Sequence, residues 1–202
     1  MDKQQLRRIK VISQHLREED GVVASNTTAA KSLSELVVRA QTQRNQKNTR
    51  TLKGLDELKT YVSKDLGVTQ YLKITQDRIN DFAEATGDFQ WIHVDPKRAA
   101  DSPFGGTIAH GFLTLSLAPM FAEEVMPNIE GIQYFINCGF NKVRFLSPVP
   151  VDCNLRCRFT LQELVENASG ANAVIKLTFE IEDNPKPAAI CEWIVRFYKN
   201  QE

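Results

Sequence analysis

The chain has 202 residues, 42% of them hydrophobic and 25% charged, and its 25 lysines and arginines balance 25 aspartates and glutamates. That size suits one domain with a sizeable core plus an appendage, and zero net charge removes the bulk electrostatic argument for nucleic acid, so no nucleic-acid partner is expected. No run of about 18 apolar residues occurs, so no membrane span is expected, and the charged start MDKQQLRRIKVISQHLREED lacks the apolar core of a signal peptide, which makes cytoplasm the expected location.

Residues 1–50 differ from the rest. They hold 10 basic and 5 acidic residues, net +5, which leaves 15 basic and 20 acidic residues, net −5, for 51–202. Leu6, Ile9, Ile12 and Leu16 recur at helical spacing and Asp20-Gly21 stops them. Leu33, Leu36, Val37 and Ala40 make a second stripe, and QTQRNQKNTR reads as a polar linker. Two narrow stripes can dock on a neighbour but cannot build a core. Residues 1–50 are therefore expected to be a polar helical extension and linker, packed on its own domain or dimer, with the folded domain at 51–202.

From Leu52 the pattern tightens. LDELKTYVSKDLG suits a helix ended by Gly67, and TQYLKIT a short strand. TQDRINDFAEATG has Thr75 as N-cap, an apolar face of Ile79, Phe82 and Ala83, and Gly87 as terminator. DPKRAA starts a further helix with Asp95 as N-cap and Pro96 in the first turn. HGFLTLSLAPMFAEEV is apolar on nearly every side, so burial all round is expected, with Pro119 bending the helix or setting its limits.

The last third alternates strictly. Leu155, Cys157, Phe159 and Leu161 lie on one side of a strand. Ala173, Ile175, Leu177, Phe179 and Ile181 do the same after the turn NASG, and so do Cys191, Trp193, Val195 and Phe197. Period two with short turns describes an antiparallel sheet with one wet face. Together with one buried helix it predicts an α+β domain. The four cysteines (Cys138, Cys153, Cys157, Cys191) form no CxxC pair and read as reduced thiols packed as small apolar groups.

Residues 86–111, TGDFQWIHVDPKRAADSPFGGTIAHG, carry the chemistry. Asp88, His93, Asp95 and His110 could supply metal ligands, but D-x4-H and H-x16-H match no closed zinc spacing, and Asp95 is already explained as a cap, so no metal is expected. An acid–base pair fits better. Asp88 leaves a helix at its C-terminal end, where negative charge is disfavoured. His93 follows across a turn that can fold it back, and imidazole can take and return a proton in one cycle. A structural hydrogen bond for His93 stands as the even alternative. Gly111 opens the buried helix with an outward N–H able to meet a developing oxyanion, although helix packing, with His110 as a buried histidine, explains the same residues.

These motifs, with FNKVRFLSPVPV in the sheet, resemble the MaoC-like dehydratase family, specifically its NodN-like branch and the (R)-specific enoyl-CoA hydratases, over about residues 54–199. The resemblance implies a hot dog fold, in which a curved antiparallel sheet wraps a long central helix, and a homodimer. It implies (R)-specific hydration of a trans-2-enoyl-CoA, reversible and needing no cofactor. Asp88 and His93 would activate one water, and Gly111 would give its N–H to the thioester oxygen. Gln90, Trp91, His110, Phe112, Asn141 and Arg144 would bound the acyl-CoA substrate. Gln90 and Trp91 stand where many relatives carry Asn-Pro, and Pro119 stands where some carry serine. Lys142 and Arg144 would suit CoA phosphates, although an outward charge on a strand is more often a solvated face. Rival expectations are a 3-hydroxyacyl-ACP dehydratase, a non-catalytic acyl-thioester-binding module and a hot dog thioesterase.

Overall fold

The computed structural model describes residues 50–200. Both stripes of the N-terminal segment lie outside the described residues. The chain enters through β1 (Thr51–Leu52), which pairs in parallel with β4 (Asn128–Ile129). It continues into α1 (Gly54–Lys59), which buries Leu55 and Leu58. The helix expected to run on to Gly67 stops here. Ser63 takes a left-handed φ of 67°, and Lys64–Val68 forms β2. Gly67 is strand, not helix terminator: a Cβ there would lie 3.1 Å from a Val125 methyl, so the glycine admits close packing of helix on sheet.

The main sheet has the order β2-β6-β7-β8-β5, with the short β3 (Leu72–Lys73) also on β6, and every pairing in it is antiparallel. Its long strands are β5 (Ile132–Phe145), β6 (Asn154–Asn167), β7 (Gly170–Ile181) and β8 (Ala189–Lys199). The alternation read from the sequence is the alternation observed. Cys157, Phe159, Ile175, Leu177, Phe179, Cys191, Trp193 and Val195 are all buried on one face. The four cysteines are free thiols.

The apolar helix packs on that face as two segments, α5 (Gly111–Ser116) and α6 (Ala118–Val125). Pro119 lies in the first turn of α6. Its ring carries no N–H and crowds the carbonyl four residues back, so the helix must restart there. Phe121, fully buried, meets the Phe179 ring at a centroid distance of 6.3 Å. Burial all round does not hold: Leu113, Leu117 and Phe121 face the core, but Phe112 is 70% exposed. Among the described residues a strand edge is also open: β5 pairs only with β8, and its Tyr134, Phe135, Ile136 and Phe145 are exposed. Among the described residues no helix is long and apolar enough to cross a membrane.

Candidate active site

Three capped elements build the site. The first, α2 (Gln76–Thr86), begins at Thr75, whose hydroxyl accepts from the Arg78 N–H. It ends at Gly87 in the left-handed region (φ 74°), which turns the chain outward so that Asp88 leaves the helix axis. Two short helices follow, α3 (Trp91–Val94) and α4 (Pro96–Ala100), separated by Asp95, whose carboxylate accepts from the Arg98 N–H. His93 therefore sits on a single helical turn between two caps. The Arg98 guanidinium lies 4.3 Å from the centre of the Trp91 ring and packs that turn from outside.

Inside the turn, His93 is only 6% exposed, and its Nδ1 lies 2.7 Å from the Ile108 carbonyl oxygen. A carbonyl only accepts, so Nδ1 carries the hydrogen and Nε2 keeps its lone pair. Burial holds the His93 imidazole below the ordinary histidine range. The nearby His110 pushes the same way, while the Ile108 carbonyl and the Asp88 carboxylate oppose it.

His110 lies beneath. It is 2% exposed, and its ring stacks on His93 with centroids 3.8 Å apart and planes 27° from parallel. Its Nε2 is 2.9 Å from the Asp88 main-chain oxygen and 4.0 Å from the Asp88 carboxylate. The shorter contact is the hydrogen bond; the longer one is at the limit of an ion pair. The Asp88 side chain is 54% exposed and accepts a long 3.4 Å bond from the Gln90 N–H.

One carboxylate oxygen of Asp88 and one nitrogen from each of the two imidazoles lie within 4.8 Å of one another. Each ring has one nitrogen bonded to a main-chain oxygen, which leaves the other nitrogen of each imidazole for other chemistry.

Beside this cluster, Gly111 opens α5, and among the described residues no acceptor meets its N–H. A groove of about 270 Å³ adjoins it, lined by Ile108, Ala109, Thr114, Phe145, Val149 and Ala188. A Cβ at position 111 would lie 3.2 Å from the Phe145 ring, so only glycine keeps both the N–H open and the ring in place. The combination is a neutral base, an acceptor carboxylate and an unpaired main-chain donor at the mouth of an apolar groove. It can move a proton on and off water beside a polarised carbonyl.

A scan of protein families matches the chain to the MaoC-like domain over residues 57–184. The chain belongs to the MaoC-like dehydratase family. It is 44% identical over 149 residues to 3-hydroxyacyl-thioester dehydratase Z of Mycobacterium tuberculosis, covering 73% of this chain and 98% of that protein. It is likewise 44% identical over 142 residues to nodulation protein N of Rhizobium meliloti, covering 69% and 88%. The R-hydratase PhaJ1 of Pseudomonas aeruginosa, in its unliganded form, superposes with a TM-score of 0.57 at 22% identity, over 69% of this chain and 83% of that one. At that identity the likeness concerns the fold, and the fold is the hot dog.

Within this MaoC-like domain, Asp88, His93 and His110 lie together, and Gly111 follows His110 directly at the start of α5. Gln90 caps the His93 turn, with its carbonyl accepting from the His93 N–H at 2.9 Å. Phe112 meets Phe145 edge-on, with ring centres 6.0 Å apart. Asn141 and Arg144 are not joined to the cluster by any hydrogen bond or ion pair among the described residues. Asn141 is the extra residue of a bulge in β5, and Arg144 faces outward and bonds the Val143 carbonyl. Sequence reading missed Gln76 and Thr107. The Gln76 amide donates to the His93 carbonyl at 2.8 Å and its oxygen accepts from the Thr107 hydroxyl, so it ties α2, the His93 turn and the 107–110 segment together. An amide in the first turn of a helix carries no sequence signal of such a role.

Proposed function

We propose that this protein adds water reversibly across a trans-2-enoyl-CoA to give the (R)-3-hydroxyacyl-CoA. The observation that carries the reading is the 2.7 Å contact between His93 Nδ1 and the Ile108 carbonyl oxygen. Tied through Nδ1 to a carbonyl, the ring offers Nε2 as a base within reach of the Asp88 carboxylate. Water held by this pair loses a proton to His93 as its oxygen bonds to C3. The displaced electron pair moves through C2 towards the thioester oxygen, which accepts from the Gly111 N–H. The Asp88–His93 pair then returns a proton to C2, so atoms balance without a cofactor. The groove beside Gly111 suits the acyl chain. The names of the relatives, a 3-hydroxyacyl-thioester dehydratase among them, support this class of reaction. Loss of the enoyl-thioester absorbance when crotonyl-CoA is added to purified protein tests it. No change with short or long enoyl chains would leave only a thioester-binding role.

The active form is a homodimer in this reading. The open β5 edge and the exposed Phe112, Phe135, Ile136 and Phe145 support it, because pairing two copies covers both polar edge and apolar surface. The catalytic domain is 51–202, and residues 1–50 are an extension that takes no part in the chemistry.

A further inference from the structure

His110 resembles a substrate contact in sequence, yet it is among the most enclosed polar residues described. Its surroundings are few. The Phe82 ring of α2 lies 5.0 Å from it and the His93 ring 3.8 Å, centre to centre; among the described residues the Asp88 carboxylate is the one charged group within 4.0 Å. The Nε2 contact goes to a main-chain carbonyl, so Nε2 carries the hydrogen. Nδ1 is buried and has no hydrogen-bond partner among the described residues. Leaving a polar atom buried and unpaired in this way is unfavourable. A purely space-filling role would be met by an apolar ring, which has no such atom to bury. What imidazole adds is the Nε2–H, and that hydrogen holds the main chain at Asp88.

We propose that His110 is the positioning residue of the site, its Nε2–H clamping the Asp88 carbonyl while its ring forms the floor on which His93 lies. The clamp matters because the Asp88 side chain is otherwise held weakly: it is half exposed, and its recorded side-chain hydrogen bond is the 3.4 Å contact from Gln90. One histidine thus fixes both halves of the acid–base pair, Asp88 through its main chain and His93 through its ring face. This deepens the hydratase reading and rests on it for the kinetic consequence, but not for the geometry.

The test begins without activity. In the wild-type protein, nitrogen-15 NMR of the histidine rings is expected to show His110 protonated at Nε2 and not at Nδ1; protonation at Nδ1 would overturn the clamp. His110→Phe keeps the stacked ring and loses the donor, whereas His110→Gln keeps an N–H and loses the stack. Amide exchange across residues 88–93 is expected to rise in His110→Phe. With crotonyl-CoA, kcat is expected to fall about 100-fold in that variant, the scale of an ångström-size misplacement, with KM little changed and with His110→Gln closer to wild type. Wild-type turnover in His110→Phe, or unchanged exchange, would sink the proposal. So would a larger loss in His110→Gln than in His110→Phe, which would make the stacked ring and not the N–H the dominant contribution. A wild-type protein that fails to hydrate any enoyl-CoA would defeat the reaction assigned above and leave the NMR and exchange results to decide the clamp.

Discussion

The Nδ1 of His93 lies 2.7 Å from the carbonyl oxygen of Ile108, and this one contact decides which nitrogen can act as base. Burial keeps the ring neutral to lower pH than an ordinary histidine. The unfolded chain, with a histidine near 6.5, therefore binds the proton more readily than the folded one. His93 accordingly contributes stability that is full above about pH 6.5 and is lost as pH falls through its lower folded value. The acid limb of kcat/KM for crotonyl-CoA hydration is expected to lie below 6.5 and to vanish in His93→Gln. A limb at or above the ordinary histidine value would show that His93 is not the group titrating.

Asp88 and His93 share one water in the proposed reaction, so they act as a unit. Asp88→Asn and His93→Gln are each expected to lower kcat by about 10²–10⁴-fold. The double variant is expected to be little worse than the worse single, because the second change removes a partner already idle. Steady-state rates, with folding checked by circular dichroism, decide this. Penalties that add in the double variant would separate the two roles.

Much of this arrangement is legible in the sequence, and the reasons are physical. Thr75, Gly87, Asp95 and Pro96 carry intrinsic backbone preferences, so α2 and α4 can be placed from residue type alone. Strict alternation in β6, β7 and β8 reports a sheet with one dry face. What fails is tertiary. Leu55 and Leu58 look like the start of a longer helix because nothing local reveals that Val125 will press on Gly67. The partners of His93 and His110 are main-chain oxygens of Ile108 and Asp88, and every residue type offers a carbonyl, so no motif marks them.

Gly111 and Phe145 are coupled through space. Gly111→Ala places a methyl 3.2 Å from the Phe145 ring, closer than ordinary van der Waals contact, so the ring or the helix start must shift. A loss in kcat/KM is expected from Gly111→Ala, and Phe145→Leu is expected to recover part of it, with a coupling of roughly 1 kcal/mol. Equal penalties with and without Phe145 would place the cost elsewhere, at the helix backbone.

A chain shortened to residues 50–202 is expected to remain dimeric and to keep most of its crotonyl-CoA turnover. Arg50 must stay, because its guanidinium donates to the Leu66 carbonyl and its own carbonyl accepts from Asn128. Light scattering and turnover are measured together on the same preparation. A stable monomer at micromolar concentration would refute pairing along β5. A folded dimer without turnover would give the extension a part in the site.

The carbonyl of Ile108 has a further consequence. It sits on a segment laced to its neighbour by main-chain bonds, Ala109 N–H to Val149 and Val151 N–H to Thr107. An acceptor made of peptide backbone cannot be deleted by any single codon change, since all twenty amino acids present the same oxygen. Side-chain replacement at 108 can shift that oxygen but cannot abolish it. A point mutation that breaks this contact must therefore replace His93 itself or move the segment as a whole. That contact thus offers a small target to random substitution, even though a single carbonyl sets the polarity of the His93 ring.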